Sequence, residues 1–460
     1  MLFFGGVLRW LLTAEKFLFL HHTLVAAYLG LYFGVFGIAF ALKAKKWNMT
    51  AAYVAAPFYW VSLEFLRSNL SFLALPWDLL GHSQYENTAV IHIASLTGAY
   101  GVSFLIVLVN AAIAYFLLKR LSKEGTMFIY PGIALVLVLL SHLYGFIGGT
   151  SENIGKKYKI ALIQGNIDQY KKWDLKYAFE IIDTYSKLTL EAAKSNPSLI
   201  IWPETATPGA VTANPWISDE IGRLVSNTNI PLLFGTGQHR KFGKKDGVRP
   251  KTKYLNSAFL INPSKKDQQH YDKMRLFPFG EYLPYEQIIP WHLIKIHDSG
   301  NYIPGSEFTV FRLPDFRFGV TICWEAYFPE LFREFVKRGA QVMVNMTNEG
   351  HFGKSCAQYQ LLACAVFRAV ENKIYLARCA NTGVSCIIDP YGRVVTRVID
   401  KNGDDSFVRG FATGFVVPRD EKTFYTMYGD VFAWIAVAGS VGFLVVAGWK
   451  SQRKHKIFTA

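Results

Sequence analysis

The chain has 460 residues, 51% of them hydrophobic, and a formal net charge of +15. No basic-aromatic module accompanies the positive charge, so nucleic acid is excluded as a partner, and an anionic membrane surface is the favoured one. The five cysteines form no Cys-x-x-Cys pair and no His-Glu-x-x-His motif occurs, which excludes a recognisable zinc site.

Long apolar stretches near both ends predict a helical membrane bundle. Each full-length stretch lacks Asp, Glu, Lys and Arg and can cross the roughly 30 Å hydrocarbon core of a bilayer. A shorter apolar stretch is also a candidate span, and it is ended by the charged residues Glu64 and Arg67. We therefore expect five spans, four before the central region and one after it: residues 17–42, 47–63, 87–118, 127–150 and 431–449. The apolar segment 1–13 is too short to span unaided, and the absence of a basic n-region disfavours a cleaved signal.

Basic residues in the short connections predict the orientation of these spans. They form three clusters: Lys43, Lys45 and Lys46; Lys119, Arg120 and Lys123; and Lys450, Arg453, Lys454 and Lys456. By the positive-inside rule all three clusters are cytoplasmic. The loop 68–86 and the region 151–430 then lie on the opposite face, in agreement with five spans.

The central region alternates strand-like and helix-like segments, which predicts an α/β layered fold. We expect strands at 159–164, 199–202, 232–235, 258–261, 317–322, 342–346, 374–378 and 385–388. We expect helices at 173–195, 217–227, 329–338 and 355–372. The Lys- and Gly-rich stretch 243–253 is typical of a loop.

Three separated segments carry the residue types of a cysteine-based acyl-transfer site. Glu204 ends Ile-Ile-Trp-Pro-Glu, Lys273 lies in Tyr-Asp-Lys-Met-Arg-Leu, and Cys323 lies in Gly-Val-Thr-Ile-Cys-Trp-Glu. A thiol attacks as its thiolate, a carboxylate takes the proton, and a fixed cation both lowers the thiol pKa and stabilises the oxyanion. Each residue alone has an ordinary structural explanation, as a strand-end carboxylate, a surface lysine or a core cysteine. Cys323, however, falls between a predicted strand and a predicted helix, where a nucleophile is exposed on a strained turn.

These segments, in this order and with these flanks, resemble the nitrilase superfamily. Together with the apolar spans, the chain resembles the apolipoprotein N-acyltransferase family over nearly its whole length. The resemblance is carried by Phe-Leu-Arg and Leu-Pro-Trp in 65–77, Gln-Gly-Asn-Ile and Lys-Trp in 164–173, the run from Tyr271 to Pro284, His-Phe-Gly-Lys-Ser at 351–355 and Asn-Thr-Gly at 381–383. It implies a nitrilase-like αββα sandwich inserted in a transmembrane helix bundle. The domains would be residues 1–150, 151–430 and 431–460.

The resemblance also implies roles for individual residues. Glu204 would be the general base, Lys273 the oxyanion-stabilising cation and Cys323 the nucleophile, while Glu281 and Glu325 would orient the lysine and the active-site loops. The acyl donor would be a phospholipid, and the acceptor the diacylglyceryl-cysteine at the N-terminus of an apolipoprotein. A monomer in the bacterial inner membrane, with its catalytic domain in the periplasm and no metal or organic cofactor, is the expected form.

Two other functional classes stay open at this stage. A membrane-anchored amidase or nitrile hydrolase would use the same three residues, although one anchoring helix would then suffice. A non-catalytic receptor or scaffold is disfavoured by the intact Glu204, Lys273 and Cys323. Ammonia release from small amides would identify the first class, and failure to react with any carbonyl substrate the second.

Two departures from the family pattern are visible. Family members carry further helices before the point at which this chain begins, so either the true start lies upstream or the bundle is smaller. The segment 348–351, Asn-Glu-Gly-His, replaces a family pattern of Asn-Asp followed by an aromatic residue, and it is expected to flank the site.

Four further cysteines are expected to pack in the core or to pair as disulfides: Cys356, Cys364, Cys379 and Cys386.

Overall fold

The computed structural model describes residues 1–14, 17–122, 128–149, 155–242, 251–264, 268–294 and 300–458. The chain divides into two compact units. The first, called the helical unit here, comprises Met1–Glu152, Val370–Asn372 and Thr423–Ala460, and the second, the sheet unit, comprises Asn153–Ala369 and Lys373–Lys422. Lys123 of the predicted basic clusters and the predicted boundary at 150/151 lie outside the described residues.

The helical unit is built from apolar helices. They are α1 (Leu2–Val7), α2 (Phe19–Lys46), α3 (Met49–Asn69), α4 (Thr88–Ile91), α5 (Ala94–Thr97), α6 (Ala99–Leu121), α7 (Ile129–Gly149), α12 (Phe424–Tyr428) and α13 (Val431–Phe458). Three of them, α2, α6 and α7, are long and apolar enough to cross a membrane among the described residues. The described apolar part of α13, Val431–Val445, is shorter, and α3 contains two charged residues near its end.

The span predicted over 87–118 is present as one helix, but its predicted start is wrong. Two short helices, α4 and α5, precede α6, and Gly98 separates α5 from α6 with a φ of +65°. Helical residues have negative φ, and glycine adopts positive φ without the steric cost that a side chain brings. The membrane-length helix therefore begins only at Ala99 and continues to Leu121.

Helix α3 continues past the two charges that were expected to end it. Glu64 and Arg67 are both buried within the helical unit. Glu64 Oε1 accepts a hydrogen bond from the backbone N–H of Leu80 at 2.7 Å, and Arg67 Nη1 donates to the carbonyl of Trp77 at 2.9 Å. Since both side chains bind main-chain groups of the loop that follows, they can be buried within the helix and do not end it.

The sheet unit contains two six-stranded sheets. Their strands are β1 (Tyr158–Gln164), β2 (Leu199–Ile201), β3 (Leu232–Phe242), β4 (Lys251–Ile261), β5 (Gln269–Asp272), β6 (Phe311–Arg312), β7 (Arg317–Ile322), β8 (Val342–Thr347), β9 (Leu376–Ala380), β10 (Cys386–Ile388), β11 (Val394–Arg397) and β12 (Gly410–Val416). The strand order is β12-β1-β2-β3-β4-β5 in one sheet and β11-β10-β9-β8-β7-β6 in the other. Strands β1, β2 and β3 are parallel to one another, as are β7, β8 and β9.

Helices and sheets form the layers of a nitrilase-like sandwich, as predicted. Helices α8 (Ala178–Ala193) and α9 (Pro215–Thr228) pack on the first sheet over a core that includes Ile181, Trp202 and Ile221. The two sheets face each other through β1 with β9 and β4 with β7. Helix α10 (Pro329–Lys337) lies against β7, and α11 (Ala357–Asn372) is buried along most of its length.

Several predicted boundaries differ from the structure. The strand predicted at 258–261 already begins at Lys251, so the last part of the predicted loop 243–253 is strand, and residues 243–250 lie outside the described residues. Strand β4 is long because it pairs with all eleven residues of β3. Helix α8 begins at Ala178 rather than at residue 173, after two short 3₁₀ turns.

The cysteine predictions are partly wrong. Cys364, Cys379 and Cys386 are buried, as expected, but Cys356 is exposed because it precedes α11 instead of lying within it. The Cys379 thiol donates to the carbonyls of Ile163 and Ile201 at 3.4 and 3.2 Å. No disulfide bond joins any pair of cysteines within the described ranges.

Candidate active site

Glu204 lies just beyond the end of β2 and is only 6% exposed. Its side chain is held from two directions: Oε1 accepts from Asn256 Nδ2 at 2.7 Å, and Oε2 accepts from the backbone N–H of Asn348 at 2.8 Å. The next residue, Thr205, has a φ of +44°. This sharp turn directs the chain away from the sheet immediately after the carboxylate.

Lys273 follows β5 and is 1% exposed. Its Nζ donates to Glu281 Oε1 at 2.9 Å and lies 3.6 Å from Glu204 Oε1. Burial alone would lower the pKa of Lys273, but the carboxylates of Glu281 and Glu204, with Cys323, raise it well above its ordinary value. An ammonium has three N–H donors, so this cation keeps donors for a substrate oxygen while both carboxylates hold it charged.

Asn256 joins the two carboxylates that surround Lys273. Its Nδ2 donates to Glu204 Oε1 and also to Glu281 Oε1, the latter at 3.1 Å. The main-chain carbonyl of Asn256 accepts from the backbone N–H of Lys273 at 2.8 Å. Glu281 Oε2 accepts from the N–H of Phe277 at 2.7 Å, which anchors the start of its own loop. Glu281 therefore binds both the ammonium of Lys273 and the start of its own loop.

Cys323 lies at the junction of β7 with a 3₁₀ turn, Cys323–Tyr327, that leads to α10. Its φ of +56° is in the left-handed region, which is strained for a residue with a side chain. Asn345 of the neighbouring strand β8 fixes the turn by donating to the Cys323 carbonyl at 3.2 Å. The predicted strand, strained turn and helix around the thiol are thus present.

The electrostatics of the thiol differ from the sequence expectation. Burial and, to a smaller extent, the carboxylate of Glu204 together raise the pKa of Cys323 to about 12, because the opposing effect of Lys273 does not outweigh them. The nearby cation therefore does not by itself produce a thiolate. With its pKa raised in this way the group is favoured as a thiol at neutral pH, and it could act as a nucleophile only where a base takes its proton.

Glu325 is fully buried and contacts main-chain groups rather than Lys273. Its Oε1 accepts from Tyr271 Oη and from the backbone N–H groups of Met274 and Arg275 at 2.9, 2.7 and 2.9 Å, and its Oε2 accepts from the N–H of Ile322 at 2.7 Å. Burial raises the pKa of Glu325 to about 7 despite these donors. It joins the segment after Lys273 to the strand end before Cys323.

A second lysine also reaches the site. Lys172, in the Lys-Trp pair noted in the sequence, is 2% exposed, and its Nζ donates to the carbonyl of Glu204 at 2.9 Å. Burial lowers its pKa to about 7, although Glu204 and Cys323 oppose this shift. Neither Asn256 nor Lys172 is assigned a role by the sequence pattern or by the family resemblance. The only sequence signal of Asn256 is that it is a polar residue in an apolar strand, and that of Lys172 is that it precedes a tryptophan.

The segment that departs from the family pattern does flank the site. Asn348 contributes the backbone N–H that binds Glu204, and the next residue, Glu349, forms a fully buried ion pair with Arg378 of β9. Asn381 Nδ2 donates to Asn348 Oδ1 at 3.1 Å. Among the described residues no group of His, Cys, Asp and Glu side chains is arranged to hold a metal ion.

Comparison with known proteins gives two matching family models. Residues 159–405 match the carbon-nitrogen hydrolase family, and residues 1–112 match the apolipoprotein N-acyltransferase N-terminal domain. An apolipoprotein N-acyltransferase of Geobacter metallireducens is 36% identical over 435 residues, covering 94% of this chain and 80% of the relative. One from Chlorobaculum tepidum is 30% identical, covering 90% and 80%. Among solved structures, an amidase of the nitrilase superfamily from Nesterenkonia matches 60% of this chain and 94% of its own, at 18% identity and a TM-score of 0.43.

Proposed function

This chain belongs to the apolipoprotein N-acyltransferase family, and from that premise we propose that Cys323 carries an acyl chain from a phospholipid to the amino group of a lipoprotein. The chain is a membrane-embedded N-acyltransferase of lipoprotein biosynthesis. The donor, the covalent intermediate and the residues that act on it are our proposal.

One observation carries the proposal: a thiol on a strained turn shares a buried site with a carboxylate and an ammonium. Glu204 and Lys273 are each less than a tenth exposed, and both act electrostatically on the thiol of Cys323. Ion pairs buried for stability alone gain little over apolar packing. Their position around a nucleophile supports a catalytic role instead.

In the first half-reaction the thiol attacks an ester carbonyl of the phospholipid. Glu204 takes the thiol proton as the sulfur–carbon bond forms, which the high pKa of Cys323 makes necessary. Lys273 donates to the tetrahedral oxyanion. The carbon–oxygen bond then breaks, Glu204 returns the proton to the departing alkoxide, and a lysophospholipid leaves a thioester on Cys323.

In the second half-reaction the α-amino group of a diacylglyceryl-cysteine attacks the thioester. Glu204 accepts the proton that the amine loses, Lys273 again meets the oxyanion, and the carbon–sulfur bond breaks to release the amide. The thiolate recovers its proton from Glu204. Exclusion of water from the site protects the thioester from hydrolysis between the two steps.

We also propose that the protein lies in the bacterial inner membrane with its sheet unit in the periplasm. The basic residues Lys45, Lys46 and Arg120 at the ends of α2 and α6 support this orientation. A membrane-impermeant maleimide should label exposed Cys356 in cells whose outer membrane is permeabilised. A cysteine introduced at Lys45 should react only after the inner membrane is opened, and the reverse labelling pattern would contradict the proposal.

The two-step mechanism is tested with the purified protein and a phospholipid labelled in its acyl chain. Without an acceptor, one labelled chain should load onto the enzyme and be released by neutral hydroxylamine. Addition of a diacylated lipopeptide with a free α-amino group should then move the label to that amine. An otherwise identical lipopeptide with an acetylated amine is the matched control and should leave the label on the enzyme.

Two outcomes would contradict the proposal. Transfer that occurs only when both substrates are present together, without a labelled enzyme, would exclude the covalent intermediate. Release of the label only to water would favour a hydrolase.

A further inference from the structure

Lys172 is buried, and its ammonium donates a hydrogen bond to a main-chain carbonyl. Its neighbours Lys171 and Lys176 have side chains that are 46% and 65% exposed and lie beside acidic partners, whereas Lys172 is 2% exposed. Its Nζ donates to the main-chain oxygen of Glu204, and in the part of the chain that the structure describes it forms no ion pair. Burying an ammonium in this way is costly, because a carbonyl dipole replaces its hydration only in part.

The net charge of the ionisable groups around Cys323 indicates a role for this lysine. Glu204 and Glu281 are two carboxylates around one ammonium, that of Lys273, so these three groups carry a net charge of about −1 when ionised. A negative site opposes the formation of a thiolate at Cys323. With Lys172 protonated the sum becomes zero, and it stays zero when the thiol proton passes to Glu204.

We propose that Lys172 is the second cation of the site, a positioning residue that holds the backbone of Glu204 and stabilises the thiolate of Cys323. This inference rests on the proposed function, since it requires Cys323 to be the nucleophile. Lys172 acts from the Glu204 side, whereas Lys273 binds Glu281 and faces the substrate oxygen. The two lysines therefore have different tasks.

The protonation of Lys172 is coupled to the groups that face it. Burial lowers its pKa, while Glu204 and Cys323 raise it, so a negative charge on either one favours the ammonium. Both of those groups are in turn influenced by their own neighbours. The charged and titratable residues around them are Lys273, Glu281, Tyr302 and Glu349.

The test measures the alkylation of Cys323 by iodoacetamide from neutral to alkaline pH in the full-length protein. The background variant Cys356→Ser removes the exposed cysteine, and Lys172→Met is compared with Lys171→Met, which removes an exposed charge from the adjacent position. Lys172→Met should lower the alkylation rate at neutral pH about tenfold, which corresponds to a rise of one unit in the thiol pKa. Lys171→Met should leave it unchanged.

Acyl-enzyme formation provides the second measurement. Lys172→Met should slow loading of the acyl chain to a similar extent while the KM for phospholipid stays constant, and Lys172→Arg should recover most of both rates because it keeps the charge. If Lys172→Met loads slowly but retains the alkylation profile of the parent, the lysine is structural and the inference fails. If Lys172→Arg is as impaired as Lys172→Met, charge is not the cause and the inference also fails.

The same experiment separates this inference from the proposed function. If the parent protein loads no acyl chain on Cys323, the proposed function fails, and with it the inference. If the parent loads the chain and Lys172→Met matches it in both assays, only the inference is lost.

Discussion

The helical unit and the sheet unit both bury charged side chains, but they satisfy them differently. In the helical unit, Glu64 binds the N–H of Leu80, and Arg67 binds the carbonyls of Trp77 and Asp78. Both side chains bind main-chain groups of the loop after α3. These bonds fix the path of that loop, which is a structural task.

At the candidate site of the sheet unit, two carboxylates and an ammonium are grouped together. Lys273 binds Glu281, lies close to Glu204, and shares the amide of Asn256 with both carboxylates. The thiol of Cys323 lies in the field of all three charges. The comparison suggests a rule for this molecule: buried charges that act on the thiol of Cys323 have a chemical role, whether they bind each other or, as Lys172 does, a main-chain carbonyl. The other buried charges that bind main-chain groups hold loops.

The largest effect is expected at the thiol. Cys323→Ala should abolish acyl-enzyme formation and turnover while leaving the melting temperature nearly unchanged, because the substitution removes only the sulfur of a half-buried residue. Cys356→Ala is the matched control and should be nearly silent, since Cys356 is exposed and precedes α11. Equal loss of activity in both variants would show that Cys323 has been wrongly assigned.

Replacement of the cation should have the next largest effect. Lys273→Met removes a fixed charge from the oxyanion and should reduce kcat by about 10²–10³-fold, the usual cost of losing one such donor. Lys187→Met, which changes a lysine with a 74% exposed side chain, is the control and should retain parental activity. Near-normal turnover by Lys273→Met would show that Lys273 has no chemical role, and the two kinds of buried charge would then not differ in function.

Glu325 tests the rule from within the sheet unit, because it is a buried carboxylate that binds mainly main-chain N–H groups. Glu325→Gln puts an NH₂ group against one set of these donors and should cost roughly 1–3 kcal/mol in the free energy of unfolding. Turnover should fall less than in Lys273→Met. Thermal unfolding should show this loss of stability. Glu330→Gln, at a partly exposed position, is the control. An unchanged melting temperature for Glu325→Gln would contradict the structural role assigned to Glu325.

Arg67 should show the smallest effect on catalysis. Arg67→Met leaves the carbonyls of Trp77 and Asp78 without their donor and should destabilise the helical unit by roughly 1–3 kcal/mol. The rate of thioester formation per folded molecule should stay within about twofold of the parent. Loss of the chemical step without loss of stability would show that Arg67 has a functional role, which would contradict the assignment of the buried charges of the helical unit to structure.

Much of the sheet unit could be predicted from local pattern. Strands β1 and β7 and helix α10 begin and end within one residue of their predicted bounds, because alternation, proline and helix periodicity act over short distances. The strained turn at Cys323 followed from the same reasoning. The pKa of its thiol did not, since burial depends on how the two sheets pack.

The residues that sequence reasoning missed act over long distances in the chain. Asn256 reaches Glu204 across 52 residues, and Lys172 reaches the same residue across 32. The immediate neighbours of Asn256 do not mark it as part of a site, and the Lys-Trp pair that contains Lys172 indicates the family but no role for the lysine. The break at Gly98 was missed for a different reason: hydropathy measures apolarity and contains no information on φ.

The central claim, a thioester on Cys323, is tested most directly by locating the acyl chain. After loading with phospholipid, digestion with trypsin separates Cys323 in peptide 318–333 from Cys356 and Cys364 in 355–368 and from Cys379 and Cys386 in 379–393. We predict that mass spectrometry finds the acyl mass on peptide 318–333 and that neutral hydroxylamine removes it. An acyl chain on either of the other peptides, or none on any of them, would contradict the account.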